Sequence, residues 1–106
     1  MRIPFDQGTP VPLRKILTSH QVETAFERGW STLTNGELLA TAEQEGFEVF
    51  VTTDRNLKDQ QNLSGLRIAI VVMSSTSWPR IEKAAQEVKW AIESALPGSL
   101  NEVQIR

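Results

Sequence analysis

The feature that most constrains this chain is the run 66–73, Leu-Arg-Ile-Ala-Ile-Val-Val-Met. From Ile68 onward every residue is apolar, and β-branched side chains dominate, which favours a strand. A strand with one wet face alternates apolar and polar residues. One that does not alternate is buried on both faces, as happens at the centre of a parallel sheet covered by helices on each side. The run is far too short to cross a bilayer. The opening, Met-Arg-Ile-Pro-Phe-Asp-Gln, carries charge but no apolar signal core. The reading is a cytoplasmic protein without membrane association.

The rest of the chain supplies the other layers of such a fold. Residues 2–5 read as a short strand in which Pro4 removes one ladder donor, so its nitrogen should face a bulge or an unpaired side. Residues 10–17 place Leu13, Ile16 and Leu17 on one helical face. A second strand is expected at 21–24, and a helix at 35–45 with Leu38, Leu39 and Ala42 as its stripe. A strand follows at 48–52, then a short helix or turn at 54–62. Residues 79–96 form one long amphipathic helix with Ile81, Ala84, Ala85, Val88, Ala91, Ile92 and Ala95 in a single stripe. Pro97-Gly98 ends it, and 103–105 form a small last strand. Strands alternating with helices imply a three-layer α/β/α domain around a central, mostly parallel sheet, with right-handed crossovers. A chain of 106 residues fits one domain, 1–106.

Composition narrows the chemistry. There is no cysteine, so disulfides, thiolate metal sites and cysteine nucleophiles are excluded, and the single histidine excludes a site of several imidazoles. His20 reads as a structural or surface residue. With 11 basic and 13 acidic residues the net charge is −2, which argues against binding nucleic acid through bulk charge.

In open α/β sheets ligands bind beyond the carboxyl ends of the strands. Asp6 directly follows the first strand, and Asp54 follows the strand 48–52. Glu37, in the first turn of the intervening helix, is within reach of the same crevice. Carboxylates that converge there repel one another unless a cation lies between them, and oxygen-only ligands suit Mg²⁺ or Mn²⁺. Such an ion polarises a phosphoryl oxygen and activates water, the chemistry of phosphodiester hydrolysis. Each acid also has a purely structural use. Asp54 caps the following helix, Thr34 and Glu37 have capping-box spacing, and Asp6 closes a turn before Gly8.

The segment 2–10, RIPFDQGTP, and the segment 35–57, NGELLATAEQEGFEVFVTTDRNL, resemble the two half-motifs of small bacterial PIN-like proteins. In these a strand ends in Asp, and an acid-led helix precedes a strand that ends in Thr-x-Asp. The extension 60–72, QQNLSGLRIAIVV, is similar to one branch of them. The resemblance spans about residues 1–73 and implies a three-layer α/β/α fold and a Mg²⁺- or Mn²⁺-dependent ribonuclease. Many such domains are VapC-type toxins of toxin–antitoxin pairs. By position, Asp6 and Asp54 match the family's metal-binding acids, and Glu37 is the third catalytic carboxylate. Asn35 and Asn56, which stand where many relatives have Asp, become auxiliary metal ligands. Gln7 and Gly8 replace a frequent Glu and Asn. The alternative is a catalytically degenerate PIN-like module that binds a protein partner or RNA without cleavage.

Further residues follow from position. Arg55 and Lys58 flank Asp54 and are placed to contact the phosphates of a single-stranded RNA, or to form a solvated helix face. The polar run Gln60-Gln61-Asn62 offers hydrogen bonds to a ligand or a plain turn. Trp90 lies about 180° from the centre of the last helix's apolar stripe, which marks it as an interface residue for a last strand, a homodimer mate or an antitoxin-like small protein. Trp30 is expected to pack over the sheet edge, with base stacking as its alternative, and Trp78 to anchor the start of the last helix. A receiver-like phosphate-binding domain fits less well. Met73-Ser74-Ser75 stand where a strand-end lysine is wanted, and there is no Gly-rich phosphate loop.

Overall fold

A computed structural model describes residues 1–60 and 63–106. The strands are β1 (Arg2–Phe5), β2 (Gln21–Thr24), β3 (Val49–Thr52), β4 (Ala69–Met73) and β5 (Leu100–Val103). They form one sheet in the order β2-β1-β3-β4-β5, and every pairing is parallel. The unalternating run is the strand next to the middle, and all five residues of β4 are buried. Its pleat sends Ala69, Val71 and Met73 to one core and Ile70 and Val72 to the other.

Helices cover both faces, so the domain has three layers. One face carries a 3-10 helix (Val11–Ile16), α3 (Trp78–Lys83) and α4 (Ala85–Ser94), which bury Leu13, Ile81, Val88 and Ile92 against the sheet. The other carries α1 (Asn35–Gln44) and α2 (Leu57–Gln60), through Leu38, Leu39, Ala42 and Leu57. Leu63 and Leu66 close that second core. Of the polar run 60–62, Gln61 and Asn62 lie outside the described residues.

Four details depart from the sequence reading. The helix expected at 10–17 is a 3-10 helix, started by proline near its first turn and closed by Leu17 N–H donating to Arg14 O. The single helix expected over 79–96 is two, divided at Ala84 (φ −103°, ψ 16°). Ile81, Val88 and Ile92 face the sheet on both sides of the break, so periodicity reports the face and is silent about the step. The last strand begins at Leu100 rather than 103, because Leu100, Asn101 and Glu102 form a largely solvated strand that shows no apolar pattern. The crossovers do not share one hand. The steps β3→β4 and β4→β5 run the same way across the sheet but return over opposite faces, so the last connection has the opposite hand to the others.

Pro4 sits in an interior strand. Glu48 N–H donates to Arg2 O and Asp6 N–H to Val51 O, so the missing proline donor falls between these bonds, on the β3 side. The β1–β3 ladder is correspondingly thin, with Phe5 opposite Val51 as its one register pair. Phe47 lies in the core under α1 and α2 with Trp30 edge-on at 5.9 Å, and Arg2 and Arg28 lie over these rings. Trp30 is therefore a packing residue.

Phe50 is 1% exposed at the centre of the α1–α2 core. Phe50→Ala should lose about 3–5 kcal/mol of unfolding free energy. Urea unfolding should show this as a lower midpoint at unchanged slope.

Candidate functional site

The strand order reverses direction between β1 and β3. The chain leaves β1 toward β2, then returns past β1 to build β3, β4 and β5. At such a switch point the loops from neighbouring strand ends part and leave a crevice. Asp6 is the first residue beyond β1, and Asp54 is the second beyond β3. The structure therefore brings these two acids to the one place where the topology opens the sheet edge.

A single hydroxyl ties them. Thr52, the fully buried last residue of β3, donates from Oγ1 to Asp6 Oδ2 at 2.5 Å. The same oxygen accepts the backbone N–H of Asp54 at 2.9 Å. The other Asp6 oxygen, Oδ1, lies 2.6 Å from Thr9 Oγ1, which is also 3.1 Å from Val51 O. Thr9 has one hydroxyl proton to share between those two acceptors. Asp6 is only 3% exposed. Its burial pushes the carboxyl above its ordinary value, the Thr52 and Thr9 bonds pull it back, and the charge of Asp54 adds to the rise.

Asp54 is half-buried. Asn35 Nδ2 donates to its Oδ2 at 3.1 Å, and the Asn56 N–H donates to its Oδ1 at 3.0 Å. Asn35, the first residue of α1, thus joins the crevice. Asn56 enters through its backbone, with an exposed side chain. Asp54 makes a turn ahead of α2 rather than capping its first residues directly, since α2 begins at Leu57.

Glu37 is committed elsewhere. Its Oε1 accepts the Thr34 N–H at 2.9 Å while Thr34 Oγ1 accepts the Glu37 N–H at 3.2 Å, a complete capping box. The exposed carboxyl is held below its ordinary value by the Thr34 N–H. Among the described residues no three His, Asp or Glu side chains converge as a metal-binding group. The acidic content of the crevice is Asp6 and Asp54.

Gly8 lets the 6–10 loop lie against the end of β3. A Cβ there would stand 2.6 Å from Thr53 Oγ1. Gln7 Nε2 donates to Ser31 O and so fastens the loop before α1 to the same edge. Beyond Asp54, a polar cleft of about 350 Å³ opens between α2 and the ends of β4 and β5, with Arg55, Asn56, Lys58, Ser74 and Gln104 on its walls. Lys58 is paired with Glu102 at 2.7 Å, and the pair raises Lys58 and lowers Glu102 from their ordinary values. Arg55 is exposed.

Thr52 carries a signal in the sequence, as the threonine of the Thr-x-Asp pattern and the polar residue closing a strand that is otherwise Val-Phe-Val, whereas Thr9 carries none. His20 lies far from the crevice, between the α-amino group of Met1 (3.2 Å) and Glu93 (2.7 Å).

Comparison with protein-family models, curated proteins and solved structures finds no match.

Two predictions follow from this geometry. Gly8→Ala should destabilise the fold, and adding Thr53→Ala should recover most of the loss, because the next-nearest contact of the new Cβ is an ordinary 3.9 Å; a double-mutant cycle by thermal unfolding measures the coupling. The second concerns pH. Because the folded state raises the Asp6 pKa, it binds the proton more readily than the unfolded chain, whose value is near 3.8. The associated stability is fully present below that value and is lost as pH rises through the folded one. Without divalent cations, Asp6→Asn should therefore flatten the stability–pH curve above pH 3.8 and unfold at a higher temperature than the parent at neutral pH.

Proposed function

We propose that this chain is a PIN-like domain that hydrolyses phosphodiester bonds of single-stranded RNA with Mg²⁺ or Mn²⁺ held at the β1/β3 switch point. The observation that carries the reading is the pairing of Asp6 and Asp54 across one threonine hydroxyl at the crevice that the strand order opens. The donor set suits the ion. Mg²⁺ is commonly held by one or two carboxylates and completed by water and substrate phosphate, rather than by an all-protein cage. Asp6 and Asp54 supply the charge, and the Asn35 side-chain carbonyl supplies a neutral oxygen. When bound, the cation polarises the phosphoryl oxygens and lowers the pKa of a coordinated water.

The remaining residues act by position. Thr52 and Thr9 orient the Asp6 carboxylate from either side. Asn35 and the Asn56 backbone hold Asp54 in one rotamer. Arg55, on the cleft beside Asp54, is the cation available to a flanking phosphate. Lys58 serves through its pair with Glu102, which shapes the cleft wall. Glu37 maintains the start of α1, and thereby the placement of Asn35.

A second reading has its own observation. Both Asp6 oxygens lie within hydrogen-bond distance of a threonine hydroxyl, and Glu37 is spent on the helix backbone. A site satisfied in this way suits a PIN-like module that binds a partner without cutting.

Titration calorimetry with Mn²⁺ and cleavage of a labelled single-stranded RNA separate the two. Binding and cleavage should both be present in the parent and both be lost in Asp6→Asn and Asp54→Asn. Glu37→Gln, which keeps an acceptor for the Thr34 N–H, should retain both. Folded protein that neither binds Mn²⁺ nor cuts RNA decides for the non-cleaving module.

A further inference from the structure

The strand order fixes what stands along the carboxyl edge of the sheet. Phe26 is the second residue beyond β2, Asp6 the first beyond β1 and Asp54 the second beyond β3. The cleft with Arg55 opens at the ends of β4 and β5. An aromatic ring, two acids and a cation-bearing cleft therefore follow one another across the edge. Phe5 is in register with Thr24, and Ala25 N–H donates to Phe5 O at 3.0 Å. Asp6 and Phe26 thus leave neighbouring strands one residue apart in register.

Phe26 is the most open large apolar side chain among the described residues, at 81% exposure, and it is held on a fixed turn. Glu27 N–H donates to Thr24 Oγ1 at 3.1 Å and Thr24 N–H to Glu27 Oε1 at 2.9 Å, a reciprocal cap. Arg28 N–H donates to Thr24 O and Trp30 N–H to Ala25 O. The neighbours of Phe26 are committed elsewhere. Ala25 is buried, Glu27 is paired with Arg14, and Arg28 lies over Trp30 and reaches Glu23 and Glu45. Gln7 and Ser31 join this loop to that of Asp6. A ring fixed in water beside two acids is suited to stack a base, because every base has a π face. An apolar partner would ask for a contiguous apolar patch, whereas Glu27, Gln7 and Ser31 on the same loops are exposed and polar. Trp90, 72% exposed, stands on α4 at the outer edge of β5, which no described strand covers, and lies outside this line.

We propose that Phe26 is the platform on which one base of a single-stranded RNA stacks, while the strand crosses the acid pair and its backbone meets Arg55 in the cleft. The inference rests on the reading of the crevice as a phosphodiester site and names how that site grips its substrate. From β2 to the β4–β5 cleft is three to four strand spacings, roughly 14–19 Å, a span of a few nucleotides. Stacking at one end and a phosphate contact at the other hold the reacting phosphate between them. A stacked contact tolerates any base and requires an unpaired one.

Fluorescence anisotropy of a labelled, unpaired RNA octamer in EDTA reads binding apart from metal-dependent cleavage. The parent should bind, and Phe26→Ala should raise Kd at least roughly fivefold with unchanged thermal unfolding. Phe26→Trp should restore the affinity. Phe26→Leu, apolar but without a π face, should not. A phosphodiester strand of the same length without bases should bind more weakly, and equally to the parent and to Phe26→Ala. Equal RNA binding by the parent and Phe26→Ala overturns the proposal, and Mn²⁺-dependent cleavage in the same preparation would leave the phosphodiester reading standing. Full affinity in Phe26→Leu assigns the ring to a plain apolar contact and also overturns it, as does a folded parent that binds no RNA. Binding through Phe26 without cleavage upholds the platform and sinks the hydrolytic reading alone.

Discussion

Burial of β4 on both faces is the constraint on which the rest depends. A strand with no wet face must have a covered sheet on either side, and its backbone groups must be paired by strands on both edges. Parallel neighbours satisfy this only through crossovers that carry helices, so the layers, the alternation and the common direction of the strand ends follow together. Once every strand points the same way, the residues after each strand collect along one edge. Asp6 and Asp54 are neighbours for this reason, although 47 intervening residues separate them in the chain.

The crevice is built from a few hydrogen bonds with opposing effects. Removing Asp6 from water disfavours its charge, while the hydroxyls of Thr9 and Thr52 favour it. The burial effect is the larger, so the carboxyl lies above its ordinary value. Thr52 links Asp6 to Asp54 through its one hydroxyl, and Asn35 links Asp54 to α1. The thin β1–β3 ladder at Pro4 lies beneath the same crevice, which makes the switch point also the least backbone-paired seam of the sheet. Close approach of the 6–10 loop at Gly8 keeps the crevice narrow at Thr53.

Much of the architecture was legible in the residues. β1 and β2 have the expected bounds, and β3, β4 and α1 differ by only a few residues at their starts or ends. Those segments carry strong local signals, such as Val-Phe-Val, Ile-Val-Val-Met and the capping box at Thr34. The misses share a cause, which is that local pattern is weak where a neighbour does the deciding. β5 is a polar strand because one edge and part of a face stay wet. The break at Ala84 leaves the apolar stripe intact. The opposite hand of the last crossover depends on which face α3 and α4 cover. The site was half legible. Strand-end position located Asp6 and Asp54, but Glu37 has equal spacing arguments for helix cap and for crevice, and only the geometry of Thr34 assigns it.

The sequence by itself determined the class of fold, the parallel sheet and the pair of acids at its carboxyl edge, because these depend on hydrophobic periodicity and on the side of a strand at which a residue stands. Tertiary structure alone decided the strand order, and with it the switch point between β1 and β3. It also decided which hydroxyls hold Asp6, the assignment of Glu37 to the helix backbone, and the exposure of Trp90 over an unpaired edge. The physical reason is range. Periodicity and capping act over a few residues, whereas the order of strands, the burial of a carboxyl and the openness of an edge depend on contacts between segments tens of residues apart.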